Sequence, residues 1–135
     1  MSYAVDGTTP IPPTLIQLES PFAAASPEEQ RVNILYGRMA MRDCLLRGEA
    51  PMASHLIYAQ PDVLDDDNPA ERQLGMHAGF AWLDVVAYVA VYTDQGISAG
   101  MHQGIALAQS KGLTIIHRTL KHWDATAATE QDTTP

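Results

Sequence analysis

Short apolar runs alternate with longer stretches of mixed polarity along this chain, and the pattern predicts strands and helices in turn. Thr14–Glu19 reads as a first short strand, closed by Ser20-Pro21. Ser26-Pro27-Glu28-Glu29 then opens a helix. Ser26 can cap, Pro27 suits the first helical position, and Glu29 stands where a capping box places an acid. Val32, Leu35, Met39 and Leu46 fall roughly along one face, and this helix is expected to run to Arg47 and stop at Gly48. A second short strand is expected near Glu49–Ala53, followed by a loop from His55 to Asn68. Asn68-Pro69-Ala70-Glu71 repeats the start signal for a helix carrying Leu74, Ala78, Ala81 and Trp82. Val85–Tyr92, apolar nearly throughout, predicts a central strand covered on both faces. Gly96 or Ser98 opens a third helix ending at Lys111-Gly112, and Thr114–His117 predicts a last strand, with an extension to Leu120 left open.

Strands that alternate with helices of this length call for parallel strands joined by right-handed crossovers. The expected fold is α/β: a three-layer sandwich, flavodoxin/Rossmann-like, on a four- or five-stranded, mainly parallel sheet. The domain is expected over residues 14–123. The segment 1–13, with three prolines and Pro12-Pro13 favouring extended backbone, reads as flexible, and the tail 124–135, without apolar periodicity, as disordered. Ligands of such sheets bind beyond the C-terminal strand ends, near the topological switch point. That rule singles out Ser20–Phe22, Ala53–Tyr58 and Thr93–His102.

Composition narrows the partners. At 135 residues there is room for one ordinary domain, and 16 Asp+Glu against 8 Lys+Arg leave a formal net charge of -8. Long nucleic acids, whose phosphates need clustered Lys and Arg, are excluded as partners. A single nucleotide is not, because a helix N-terminus and a few donors can hold one. Cys44 is the only cysteine, so no intrachain disulfide can form, and a cytoplasmic location is expected. The apolar run around Val85–Val91 is too short to span a bilayer, and the N-terminus does not read as a signal peptide.

The segment from Tyr92 to His102 carries the most chemistry. Gly96 and Gly100 would let a ligand approach the backbone closely, and amides around Ser98 could hold an anion; the same segment also reads as an ordinary turn capped by Ser98. Asp94 leaves a buried strand as a ligand-facing carboxylate or as a turn residue bonding local amides. His102 suits proton transfer near neutrality. Ser20, Pro21 and Phe22 end the first strand; Phe22 could stack on a base or plug the core, and His55 and Tyr58 are placed to line the same cleft. Met101 reads as core filling beside the helix start. Five histidines lack any spacing that puts two on one helical face, and Asp65-Asp66-Asp67 reads as a solvated loop, so neither a metal nor a cofactor is expected.

Ser20-Pro21-Phe22, Leu45-Leu46-Arg47-Gly48, Pro51-Met52-Ala53-Ser54-His55-Leu56, Leu64-Asp65-Asp66-Asp67, Gly79-Phe80-Ala81-Trp82 and Asp94 through Met101 together resemble the nucleoside 2-deoxyribosyltransferase-like superfamily. Small uncharacterised phage and bacterial members are the most similar, and the match spans about Leu15–Leu120. The resemblance implies a protein that cleaves or exchanges an N-glycosidic bond, as 2'-deoxynucleoside 5'-phosphate N-hydrolases do, with Met101 and the other strand-end residues around a nucleotide or nucleoside. It implies a homodimer or higher homo-oligomer, in the host cytoplasm if the protein is phage-encoded. The superfamily's catalytic Glu, laid without gaps on Gly100-Met101-His102-Gln103-Gly104, falls on His102, which cannot form the same glycosyl ester. Three readings follow: an N-glycosidase or transferase with Asp94 as carboxylate and His102 as acid; an inactive module that sequesters a nucleotide, for example a phage protein capturing a signalling nucleotide; and a structural or interaction protein using the fold alone.

Overall fold

The computed structural model describes residues 11–126, and the statements below concern those residues. Expectations for residues 1–10 and 127–135 lie outside them. The element order is β1 (Thr14–Glu19), α1 (Pro27–Leu46), β2 (Glu49–Met52), α2 (Ser54–Ile57), α3 (Pro69–Ala81), a 3₁₀ turn (Trp82–Asp84), β3 (Tyr88–Tyr92), α4 (Ala99–Ser110) and β4 (Thr114–Arg118).

Two of the three predicted helix starts carry Pro at the first position and form through their caps. Ser26 Oγ accepts from Glu29 N at 3.1 Å to open α1, and Asn68 Oδ1 accepts from Ala70 N and Glu71 N at 3.0 and 3.2 Å to open α3. The acids of the two motifs reach past the cap residue. Glu29 Oε2 accepts from Ala25 N, and Glu71 Oε1 from Asp65 N, so each glutamate ties down the chain that enters its helix.

The four strands form one parallel sheet in the order β2-β1-β3-β4. The fold is α/β and Rossmann-like. α1 covers one face, where Tyr36, Ala40 and Cys44 pack on Ile16, Leu18, Ala90 and Tyr92. α4 covers the other, where Met101, Ile105 and Ala108 pack on Val89 and Val91. β1 is therefore central, and its two side-chain rows meet different layers. Ile16 and Leu18 join the α1 core, while Gln17 and Glu19 stand on the opposite face, in register with Val89 and Val91 of β3.

Three details differ from the sequence pattern. The buried stripe of α1 is Asn33, Tyr36, Gly37, Ala40 and Cys44, and Leu46 is 72% exposed. The helix is rolled by about one position, 100°, because small residues let its backbone come close to the sheet, whereas the expected apolar row is only partly covered. The predicted strand Val85–Tyr92 begins at Tyr88, since Val85 N and Val86 N both donate back to Trp82 O and prolong α3 as a tight turn. The expected loop after β2 holds the short helix α2, closed by Tyr58 N donating to Ser54 O. The last strand ends at Arg118, inside the stretch to Leu120 that the pattern leaves open.

A buried ion pair ties the two sheet edges together. Arg118, at the end of β4, donates from both terminal nitrogens to Glu49 at the start of β2, each at 2.7 Å. Tyr88 also donates to Glu49, and Arg118 reaches Tyr92 Oη, which in turn donates to Asp43 at 2.6 Å. The guanidinium holds the Glu49 carboxyl below its ordinary range against the opposing effect of burial. Cys44 borders this network, and burial pushes its thiol up to about 11, so it is not a reactive nucleophile at neutral pH.

Candidate functional site

A cavity of about 170 Å³ opens where the C-terminal ends of β1 and β2 meet the start of α4 under the cover of α3. This is the crevice beside the switch point at β1, where β2 lies on one side and β3, to which the chain returns from β2, on the other. Its floor is β1, its walls come from α2 and α3, and its mouth includes the first residues of α4.

Several expected residues converge here. Ser20, Phe22, His55, Tyr58, Ser98, Gly100 and Met101 all line the cavity. Ser20 Oγ lies 2.7 Å from His55 Nε2, and the Phe22 ring meets the His55 ring edge-on at 6.2 Å. Burial pushes the His55 imidazole down to about 4, so it is neutral at pH 7 and can accept the Ser20 hydroxyl proton in a hydrogen bond. Tyr58 Oη is already engaged as acceptor from Trp82 Nε1 at 2.9 Å, which fixes the ring against the cavity wall. Ser98 caps α4 by accepting from Met101 N.

Pro21, Gly96, Asp94 and His102 do not line it. Asp94 is a joint of the fold. It accepts from Tyr36 Oη at 2.5 Å and from Leu120 N at 2.9 Å, and its own N–H donates to Tyr36 Oη. Those bonds hold the ends of β3 and β4 against α1 and direct the carboxylate away from the cavity. His102 lies on the exposed face of α4, because one position past Met101 the helix has turned away from the sheet. Gly96 has φ +81, which suits a turn before α4, with open space where a side chain would stand. His77, His117 and His122 are likewise exposed, and among the described residues no group of three or more His, Cys, Asp or Glu could hold a metal ion.

Three polar residues that the sequence reading passed over complete the lining. Glu19, the last residue of β1, projects toward α4, where Gly104 faces it. A Cβ at 104 would collide with Glu19 Oε1 and lie 3.1 Å from Cδ, so only glycine leaves space for the carboxyl. Burial pushes this carboxyl up to about 8, which keeps it protonated at neutral pH. Gln17, one pleat below on the same face, is 2% exposed, and its Oε1 is buried without a hydrogen-bond partner. Arg72 of α3 stands at the mouth, 3.7 Å from Asp66 and with a terminal nitrogen 3.8 Å from where a Cβ on Gly100 would be. The guanidinium and the helix N-terminus are the two groups at the mouth that can hold an anion, and Asp66 is the carboxylate that pairs with the guanidinium.

Two polar side chains two residues apart on a strand buried on both faces were the available signal. Ile16–Glu19 alternates as a half-exposed strand does, and it is the topology that makes β1 central and places Gln17 and Glu19 under α4.

The architecture and this crevice coincide with a known sequence family. The family model described as Domain of unknown function (DUF7768) matches residues 14–118, which is the whole sheet with its helices. The chain belongs to that family. No curated protein matches it. In this DUF7768 protein, Gly104→Ala is expected to push the Glu19 carboxyl from its seat while leaving α4 intact, since alanine favours helix. The variant should keep its fold by circular dichroism yet lose at least about tenfold in whatever ligand turnover the wild type shows. Full retained turnover would mean that the seat of Glu19 is immaterial.

Proposed function

We propose that this DUF7768 protein acts on a nucleoside or nucleotide in the cavity at the β1 and β2 ends and releases the base by breaking its N-glycosidic bond. The observation that carries this reading is Glu19: a carboxyl protonated at neutral pH, seated against Gly104 in a cleft whose mouth holds Arg72 and the start of α4. Glycoside chemistry needs a proton for the leaving group and negative charge for the sugar as its cationic character grows. Glu19 can supply both in succession.

The anomeric carbon–nitrogen bond breaks with its electron pair going to the base, which takes the Glu19 proton. The carboxylate left behind faces the positive sugar. Water then adds to the anomeric carbon and returns a proton to Glu19, so the enzyme is restored and the products are base and sugar phosphate. The start of α4 with Arg72 would hold the phosphate, and Phe22 with the Tyr58 ring would flank the nucleoside. His55, neutral and bonded to Ser20, is a polar wall in this scheme.

A second reading, a module that sequesters a nucleotide intact, is favoured by the other acids of the cavity. Asp66 pairs with Arg72 and Glu71 accepts from Asp65 N, so neither stands free beside Glu19 as the second carboxylate of a glycosidase pair. Incubation with 2'-deoxynucleoside monophosphates, NAD-derived nucleotides and cyclic dinucleotides, followed by separation of products, distinguishes the readings. Cleavage predicts free base from at least one of them; sequestration predicts tight binding and intact recovery. Neither binding nor turnover would overturn both.

A further inference from the structure

Gln17 lies at the bottom of the cavity with Met52 and Val89 as its partners on the neighbouring strands, both apolar. Met76 and Phe80 of α3 line the same chamber. None of these side chains can bond a carboxamide, and Gln17 Oε1 is sealed from solvent without a partner. A leucine or methionine would fill this floor without the cost of an unpaired buried oxygen. A polar group kept at such a place is accounted for by a ligand that bonds it.

The order of groups along β1 says which part of the ligand this is. Glu19 is two residues nearer the C-terminal end on the same face, about 6.6 Å along the strand. Beyond Glu19 come the first turn of α4 and Arg72. Amide, carboxyl and the Arg72 mouth thus follow one another in the order base edge, glycosidic carbon and phosphate of a nucleoside 5'-phosphate. The walls of Met76 and Phe80 suit the faces of a flat base.

We propose that Gln17 reads the base at the deep end of the cavity and selects one that presents an exocyclic polar group beside a ring nitrogen, as adenine does, over a purine that lacks it. The carboxamide offers an acceptor and a donor side by side, the complement of that edge. A purine without an exocyclic group would leave the sealed Oε1 unpaired. This selection rests on the nucleotide reading of the cavity given above.

The test uses the full chain carrying Glu19→Gln, so that turnover does not interfere, with and without Gln17→Met. Affinities for 2'-deoxyadenosine 5'-phosphate and for the 5'-phosphate of unsubstituted purine 2'-deoxyriboside are measured by calorimetry, with melting temperatures as a check on folding. The adenine nucleotide is expected to bind the Gln17 parent at least about tenfold tighter. In Gln17→Met the two affinities should fall within about twofold of each other, at an equal or higher melting temperature. Equal affinities in the parent, or a preference that survives Gln17→Met, would overturn base reading by Gln17 and leave the nucleotide site standing. Binding of neither nucleotide would overturn both proposals.

Discussion

Replacing Glu19 by glutamine is expected to lower base release at least about a hundredfold, because the variant keeps the shape of the side chain and loses its transferable proton. Nucleotide affinity should change little, since Arg72, the start of α4 and the apolar walls remain. The same substitution has a signature that does not depend on any substrate. Burial raises the Glu19 carboxyl from 4.5 to about 8, so between these values the folded chain holds a proton that the unfolded chain releases. Folded stability therefore falls as pH rises through that window, and the loss is complete above about pH 8. Glu19→Gln removes the penalty. Its melting temperature should match the wild type near pH 4.5 and exceed it increasingly toward pH 8, by about 5 °C or more. Parallel melting curves across that range would show that Glu19 ionises like a solvent-exposed acid.

The largest stability effect is expected at the Arg118–Glu49 pair. Both side chains are nearly sealed, at 9% and 5% exposure, and they meet through two parallel bonds of 2.7 Å. Arg118→Met leaves the Glu49 carboxylate without its cation, although the Tyr88 hydroxyl still donates to it. Removing one member of a buried pair costs about 3–5 kcal/mol, a large share of a typical domain's 5–15 kcal/mol. The double variant Arg118→Met with Glu49→Met should recover most of that loss, because no buried charge is left uncompensated. Urea unfolding of the three proteins measures both steps. A single variant within about 1 kcal/mol of the wild type would mean that water replaces the guanidinium and that the pair adds little to holding β4 to β2.

The three longer helices, their caps and the parallel direction of the strands were legible in the sequence because they rest on local signals. Ser26 and Asn68 act within four residues of themselves, and the strand runs are short and apolar. The position of the crevice was legible too, since the switch-point rule depends only on strand and helix alternation. Which side chains face it was not. Asp94 and His102 looked chemical because one follows a strand and the other opens a helix, but the facing of a side chain depends on strand order and on helix phase. Tyr36, far away in sequence, takes the Asp94 carboxylate, and the helical turn after Met101 carries His102 to solvent. Glu19 and Gln17 were hidden for the converse reason. Their alternation with Ile16 and Leu18 is that of a half-exposed strand, and only the pairing of β1 with both β2 and β3 buries them. Gly104 shows how far such a site is from local reading, for its meaning comes from a carboxyl 85 positions earlier (104 minus 19).

The rate of free-base release from 2'-deoxynucleoside 5'-monophosphates as a function of pH tests the central claim most directly. Cleavage driven by a protonated Glu19 predicts base and sugar phosphate in equal amounts, at a rate that is level near pH 7 and falls above about pH 8 as the carboxyl ionises. Recovery of every nucleotide intact across that range, or a rate that rises through pH 8, would contradict it.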